Sequence, residues 1–87
     1  MYIHLGNDVL VSFSNLISIV NIENQITKET QAIMNKAESK KKLVMIGRDD
    51  KNKSLVVCLD KVYISPISST TLYKRALHLN WEDKHGD

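Results

Sequence analysis

Arg48, Lys51 and Lys53 fall within six consecutive residues, and Lys40, Lys41 and Lys42 stand together just before them. These side chains share one kind of chemistry, a positive charge that can meet phosphate oxygens. A guanidinium engages a phosphate through two N–H groups, so Arg48 offers the strongest contact, while the lysines act as point charges. Residues 36–53 carry seven cations against Glu38, Asp49 and Asp50, a net of +4, although the whole chain has a formal charge of only +2. Residues 1–35 and 81–87 each sum to −2. Charge concentrated in this way suits an anionic polymer better than the average composition implies. The competing reading treats Arg48, Lys51 and Lys53 as solubilising charges on a loop tip. On that reading Lys40, Lys41 and Lys42 serve only the negative pole of a preceding helix.

Other chemistry finds little support. Gly6, Gly47 and Gly86 are scattered rather than grouped into a phosphate loop, and no Cys/His spacing suits a metal. His4 reads as a packed or edge residue of a first strand, His78 as solvent-facing, and His85 falls in the last residues of the chain. Cys58 has no basic neighbour in sequence to lower its pKa and reads as a packed thiol. Asp49-Asp50 is a carboxylate pair on a polar stretch, where solvation is expected rather than acid–base work. The chain is therefore expected not to be an enzyme and to need no cofactor or metal, and it shows no small-molecule substrate. A single cysteine excludes an internal disulfide. With no signal peptide and no apolar run of bilayer length, the cytoplasm is expected, with no membrane contact.

The elements that must position these cations are short. Residues 2–5 and 9–11 read as strands around the turn cluster Gly6-Asn7-Asp8. Leu16-Ile17-Ser18-Ile19-Val20 reads as a strand buried on both faces. Residues 27–40 predict a helix capped by the Thr27 hydroxyl, with Ile26, Thr30, Ile33 and Ala37 on one face and Met34 beside them. Residues 43–46 and 54–59 look like a pair of strands, joined by the projecting loop 47–53 that carries Arg48, Lys51 and Lys53. Residues 62–64 make a last strand. A second helix over about 70–79 takes its cap from Ser68 or Ser69 and shares Leu72, Ala76 and Leu79 along one face. The fold class is thus α+β: a small antiparallel β-sheet of five to six short strands with two helices. Residues 1–80 form one domain, and residues 81–87 a flexible C-terminal tail. A domain of this size hides only about 60–65% of the surface its unfolded chain exposes. Consecutive apolar positions in the strands then leave one sheet face for a second subunit, and a homo-oligomer is expected.

Three stretches carry a family resemblance. Met1-Tyr2-Ile3-His4-Leu5-Gly6-Asn7-Asp8, then Val11-Ser12 with Ile17-Ser18-Ile19-Val20, and Tyr63-Ile64-Ser65-Pro66-Ile67-Ser68-Ser69 with Thr71-Leu72 and Lys74-Arg75-Ala76 resemble the RemA/RemB family of bacterial extracellular matrix regulators. The likeness covers about residues 1–80 and is closer to the RemB branch. It implies a regulator of matrix and biofilm genes, with ring-shaped oligomers that present a basic rim to DNA. Asn15 and Asp49 stand where the RemA pattern has arginines.

The resulting expectation is a DNA-binding transcriptional regulator that acts as a homo-oligomer. Arg48, Lys51, Lys53, Lys41 and Lys42 contact the phosphates of double-stranded DNA, without base reading by a recognition helix. The alternative is an assembly subunit that modulates a related DNA-binding regulator without gripping DNA. Asp49 and Asp50, which repel phosphate, favour that alternative.

Overall fold

In the computed structural model, residues 1–85 are described, with Asp49 and residues 79–85 described through their backbone alone. Among the described residues, six strands form two sheets. β1 (Tyr2–Gly6) and β2 (Val9–Ser12) make an antiparallel hairpin. β3 (Leu16–Asn21), β4 (Leu43–Met45), β5 (Ser54–Cys58) and β6 (Val62–Ser65) make a four-stranded sheet in the order β3-β5-β6-β4. The helices are α1 (Lys28–Ser39) and α2 (Ser69–His85). None of the helices among the described residues is long and apolar enough to cross a membrane.

The expected single antiparallel sheet is corrected in two ways: there are two sheets, and β4 runs parallel to β6. Residues 43–46 and 54–59 are not a pair, because β6 lies between β4 and β5. The connection between them must span two strand spacings, about 9.6 Å, which explains why it is longer than a tight hairpin turn. The strand at residues 16–20 is also not buried on both faces. β3 is an edge strand, with Ile17 58% exposed and Ser18 exposed as well.

Alternation along the central strands builds two cores. Leu55, Val57, Val62 and Ile64 face α1, where Ala37 and Met34 meet them together with Ile22, Val20 and Leu43. Val56 and Cys58 face the other way, towards Ile3, Leu5 and Val11 of the hairpin and Leu72 of α2. Both sheet faces are therefore covered within one chain, against the expectation that one face is left for another subunit. Open apolar side chains at the β3 edge and along α2 include Ile17, Tyr73 and Leu77.

Thr27 caps α1 as its position predicts, with Thr30 N–H donating to its Oγ at 3.1 Å. Thr30 and Ala37 are buried, whereas Ile26 and Ile33 on the same face stay partly open. Ser68 caps α2, since Thr71 N–H donates to its Oγ at 3.2 Å. α2 begins at Ser69 and continues past Leu79 to His85, so it is longer than the pattern over 70–79 predicts. Leu72 and Ala76 face the core; the third member of that stripe, the Leu79 side chain, lies outside the described residues, as do the side chains of the expected tail. Residues 86 and 87 of that tail are not described.

The end of α1 stores strain at Lys41. Lys42 N–H donates to Ala37 O at 2.8 Å and Lys41 N–H to Glu38 O at 3.0 Å, the two bonds of a Schellman motif. This places Lys41 at φ 58, a backbone conformation for which glycine is preferred. Lys41→Gly is expected to raise stability by about 0.5–1 kcal/mol, the relief of strain exceeding the added unfolded-state entropy. Lys41→Ala, which keeps the Cβ, gives no such gain. Urea midpoints of the two variants check this, and equal midpoints would refute it.

Candidate nucleic-acid interface

The loop that carries Arg48, Lys51 and Lys53 is fixed at both ends. On the β4 side, Ile46 N–H donates to Ile64 O at 3.0 Å, and Ile46 O accepts from the Asn7 amide nitrogen at 2.7 Å. Gly47 lies against Pro66 so closely that an added Cβ would come within 3.0 Å of the ring. Gly6, at φ +121, approaches the same ring from the hairpin, with an added Cβ at 3.2 Å. A side chain at either glycine would push against the support of the loop. On the β5 side, Lys53 N–H donates to Ser65 O at 2.9 Å, and Lys53 O accepts from Ile22 N–H at 3.1 Å. Between these ends Asp49–Lys51 forms a short 3-10 turn, with Lys51 N–H donating to Arg48 O at 2.9 Å. These bonds use backbone groups, the Asn7 amide and glycine contacts, which leaves the cationic side chains exposed on a shaped support.

Among the described side chains, the Asp50 carboxylate sits beside them. Arg48 Nε lies 3.7 Å from Asp50 Oδ1, and the two side chains are 79% and 69% exposed. An ion pair this open contributes at most about 1 kcal/mol, so a phosphate can replace the carboxylate. The Asp49 side chain lies outside the described residues.

Lys41 and Lys42 do not join this loop. They precede β4, at the opposite end of the sheet, and the run 43–46 separates the two groups by roughly 13 Å. Parallel pairing of β4 with β6 brings Lys42 beside Lys61 instead, and Val62 N–H donates to Lys42 O at 2.9 Å. Lys36, Lys40, Lys42 and Lys61 line one groove. Sequence reasoning misses Lys36 and Lys61 as partners of Lys42. The four-residue spacing of Lys36 and Lys40 is a legible signal on a helix, but Lys61 joins them only through a strand pairing that the hydrophobic pattern does not specify.

Other polar candidates serve the fold. Arg75 Nη1 donates to His4 O at 2.7 Å, which ties α2 to β1. The His4 ring is exposed and bonds Asn7 O, as an edge residue does. The Tyr73 hydroxyl donates to Ile19 O, which ties α2 to β3.

Cys58 is buried, as expected of a packed thiol. Burial, reinforced by the Asp60 charge, pushes its pKa up to about 11 from 9.0. Tyr63 shifts upward through burial first, then through the charges of Asp60 and Cys58. Each acid thus holds its proton more tightly in the folded state than in the unfolded one. Their stabilising contribution is complete below the unfolded values and declines as pH rises from about 9 towards 11. The urea midpoint is therefore expected to fall across that range, and Cys58→Ala should flatten the fall. A slope unchanged by Cys58→Ala would exclude the thiol as its source.

Residues 2–76 match the family described as RemA-like, extracellular matrix regulatory protein A-like. The chain is also similar to extracellular matrix regulatory protein B of Bacillus subtilis (strain 168). The two are 36% identical over 76 residues, which cover 87% of this chain and 90% of that protein.

Proposed function

From the premise that this chain belongs to the RemA-like family of extracellular matrix regulators, we propose that it is a cytoplasmic, non-enzymatic regulator of matrix genes that grips double-stranded DNA. The observation that carries this reading is the pinned loop, which holds Arg48, Lys51 and Lys53 outward with one exposed, exchangeable ion pair among the described residues. Contact is mainly to phosphates, so affinity comes from charge and from the ease of bending DNA rather than from base reading. Lys41 and Lys42 face a different region and are assigned no contact with the same stretch of duplex.

One copy neutralises few phosphates, and repeated copies supply the rest. The surface that suits self-association is the free edge of β3 with the groove of about 370 Å³ between β3 and α2, where Ile17, Tyr73 and Leu77 are open. Ile17→Asp places a charge on that edge, a device that blocks strand addition. The expected result is an unchanged circular-dichroism spectrum, a stability change within about 0.5 kcal/mol, and a solution mass reduced to one chain. A variant that keeps the parent mass would move the interface elsewhere.

The test of the function itself is duplex binding at about 50 and about 200 mM salt, read together with light scattering. Affinity that falls steeply with salt supports the proposal. No binding at the lower salt, with assembly intact, supports the second reading, an assembly subunit that modulates a related DNA-binding regulator. Asp50 beside Arg48 is the observation that favours that second reading.

A further inference from the structure

Away from the loop, α1 and the turn between β5 and β6 enclose an open groove of about 310 Å³. Lys36 and Lys40 approach it from the helix, and Lys42 and Lys61 from the strand starts. None of these four lysines makes an ion pair with a described residue. Among the described residues that line the groove, Asp60 is the one carboxylate that offsets their charges. The last carbonyls of α1 do not oppose an anion strongly, because Lys40, Lys41 and Lys42 N–H groups already bond Lys36 O, Glu38 O and Ala37 O. The groove also has an apolar side. Ile33 is 39% exposed and Leu59 70% exposed, and both line it. Two open aliphatic side chains within a ring of lysines are poorly explained by solubility alone.

We propose that this groove binds an organic polyphosphate of mononucleotide size. The four ammonium groups meet the phosphates as charge-assisted donors. Leu59 and Ile33 cover one face of a flat ring, and Asp60 accepts from ring amino or sugar hydroxyl groups. A volume of about 310 Å³ is at the small end of ligand clefts, which fits a mononucleotide better than a larger cofactor. A bare inorganic anion would leave the aliphatic wall and the carboxylate without a role. Binding here is independent of DNA binding at the cationic loop, which lies at the other end of the sheet.

The test uses the full chain with adenosine triphosphate, guanosine triphosphate and inorganic tripolyphosphate as probes, followed by calorimetry and amide NMR shifts. At least one nucleotide is expected to bind saturably below about 1 mM, and to shift Ala37, Leu59 and Lys61 but not Arg48 or Lys51. Lys40→Gln with Lys61→Gln removes two charge-assisted donors and should weaken binding about tenfold or more, while Arg48→Ala leaves it within about twofold. Retained circular dichroism keeps the double variant interpretable. Leu59→Ser gives a second measure, weakening the nucleotide but not tripolyphosphate. No saturable binding of either nucleotide up to about 5 mM overturns the proposal. So does equal weakening in Arg48→Ala, which would mean diffuse attraction, or tripolyphosphate binding as tightly as the nucleotides. Shift of the same amides by a short duplex that displaces the nucleotide would assign the groove to DNA instead.

Discussion

Replacing Arg48, Lys51 and Lys53 together with glutamine is expected to abolish measurable duplex binding at physiological salt while leaving the fold intact. The three side chains are exposed, and the bonds that hold the loop come from backbone groups, from Asn7 and from the close approach of Gly47 to Pro66. Glutamine keeps polarity and part of each aliphatic stem, so loss of charge is the main change. Each phosphate left without its cation lowers the slope of log affinity against log salt by about 0.9, and every protomer engaged on the DNA gives up as many as three cations. Arg48→Ala alone should cost more than Lys51→Ala or Lys53→Ala, since a guanidinium holds a phosphate through two bonds. Asp50→Asn should act in the opposite direction. It frees Arg48 from a carboxylate 3.7 Å away and removes a repulsive charge, so affinity should rise by severalfold, equivalent to about 1 kcal/mol. Lys41→Ala, at the far end of the sheet, should change little. Fluorescence anisotropy of a labelled duplex over a salt series reads every one of these variants. A triple variant that binds as the parent does would remove the loop from the interface, and a drop in affinity for Asp50→Asn would show that the carboxylate positions Arg48 rather than opposing it.

These cations are legible in the sequence because charges on a polar stretch between two apolar runs need only local inference. The helix starts are legible for the same reason: Thr27 and Ser68 are hydroxyl residues at the head of a stretch without Gly or Pro, and each accepts the N–H that the motif requires. What local inference does not supply is the order of the strands. Residues 43–46 and 54–59 are neighbours in sequence and both apolar, so pairing them is the simplest expectation. The sheet instead inserts β6 between them, because β3, α1 and β4 form a crossover that carries β4 to the far edge. The same limit applies to β3. Leu16-Ile17-Ser18-Ile19-Val20 is apolar enough for a central strand, yet it takes an edge position where Ile17 is open. Burial follows topology in the same way. The apolar pattern of β1 and β2 fits one continuous sheet, whereas the hairpin folds over the second face of the larger sheet with α2. An open strand edge, rather than an uncovered sheet face, is therefore what the larger sheet leaves unpaired. The lysine groove shows the same dependence on topology, since Lys61 reaches Lys42 only across the parallel pair.

Leu72→Ala is expected to be the most damaging single substitution in the second core. Leu72 is 0% exposed and belongs to one cluster with Ile3, Leu5, Val11, Ile19, Ile46, Val56 and Cys58. As a fully buried residue of α2, it joins the helix to both the hairpin and the main sheet in this cluster. Truncating a buried leucine costs about 2–5 kcal/mol, the forfeited transfer energy together with the cavity left behind. A chain of 87 residues has a total stability of about 4–13 kcal/mol, so the effect is a large share of the whole. The hairpin is held to the sheet partly by this cluster and partly by the Ser65 hydroxyl, which donates to Leu5 O at 2.6 Å. With Leu72 shortened, the polar bond remains but the apolar packing that aligns it weakens. Ile46 lies in the same cluster and immediately precedes the cationic loop, so the loop should loosen with the core. The urea midpoint should fall by about 2 M, as one cooperative transition. Leu77→Ala, on the same helix but 66% exposed, should shift stability by no more than about 0.5 kcal/mol. Equal midpoints for the two variants would mean that α2 does not close this core. A split into two transitions would mean that the hairpin and α2 unfold as a unit separate from the four-stranded sheet, and DNA affinity measured between them would then report whether the loop needs that unit to hold its shape.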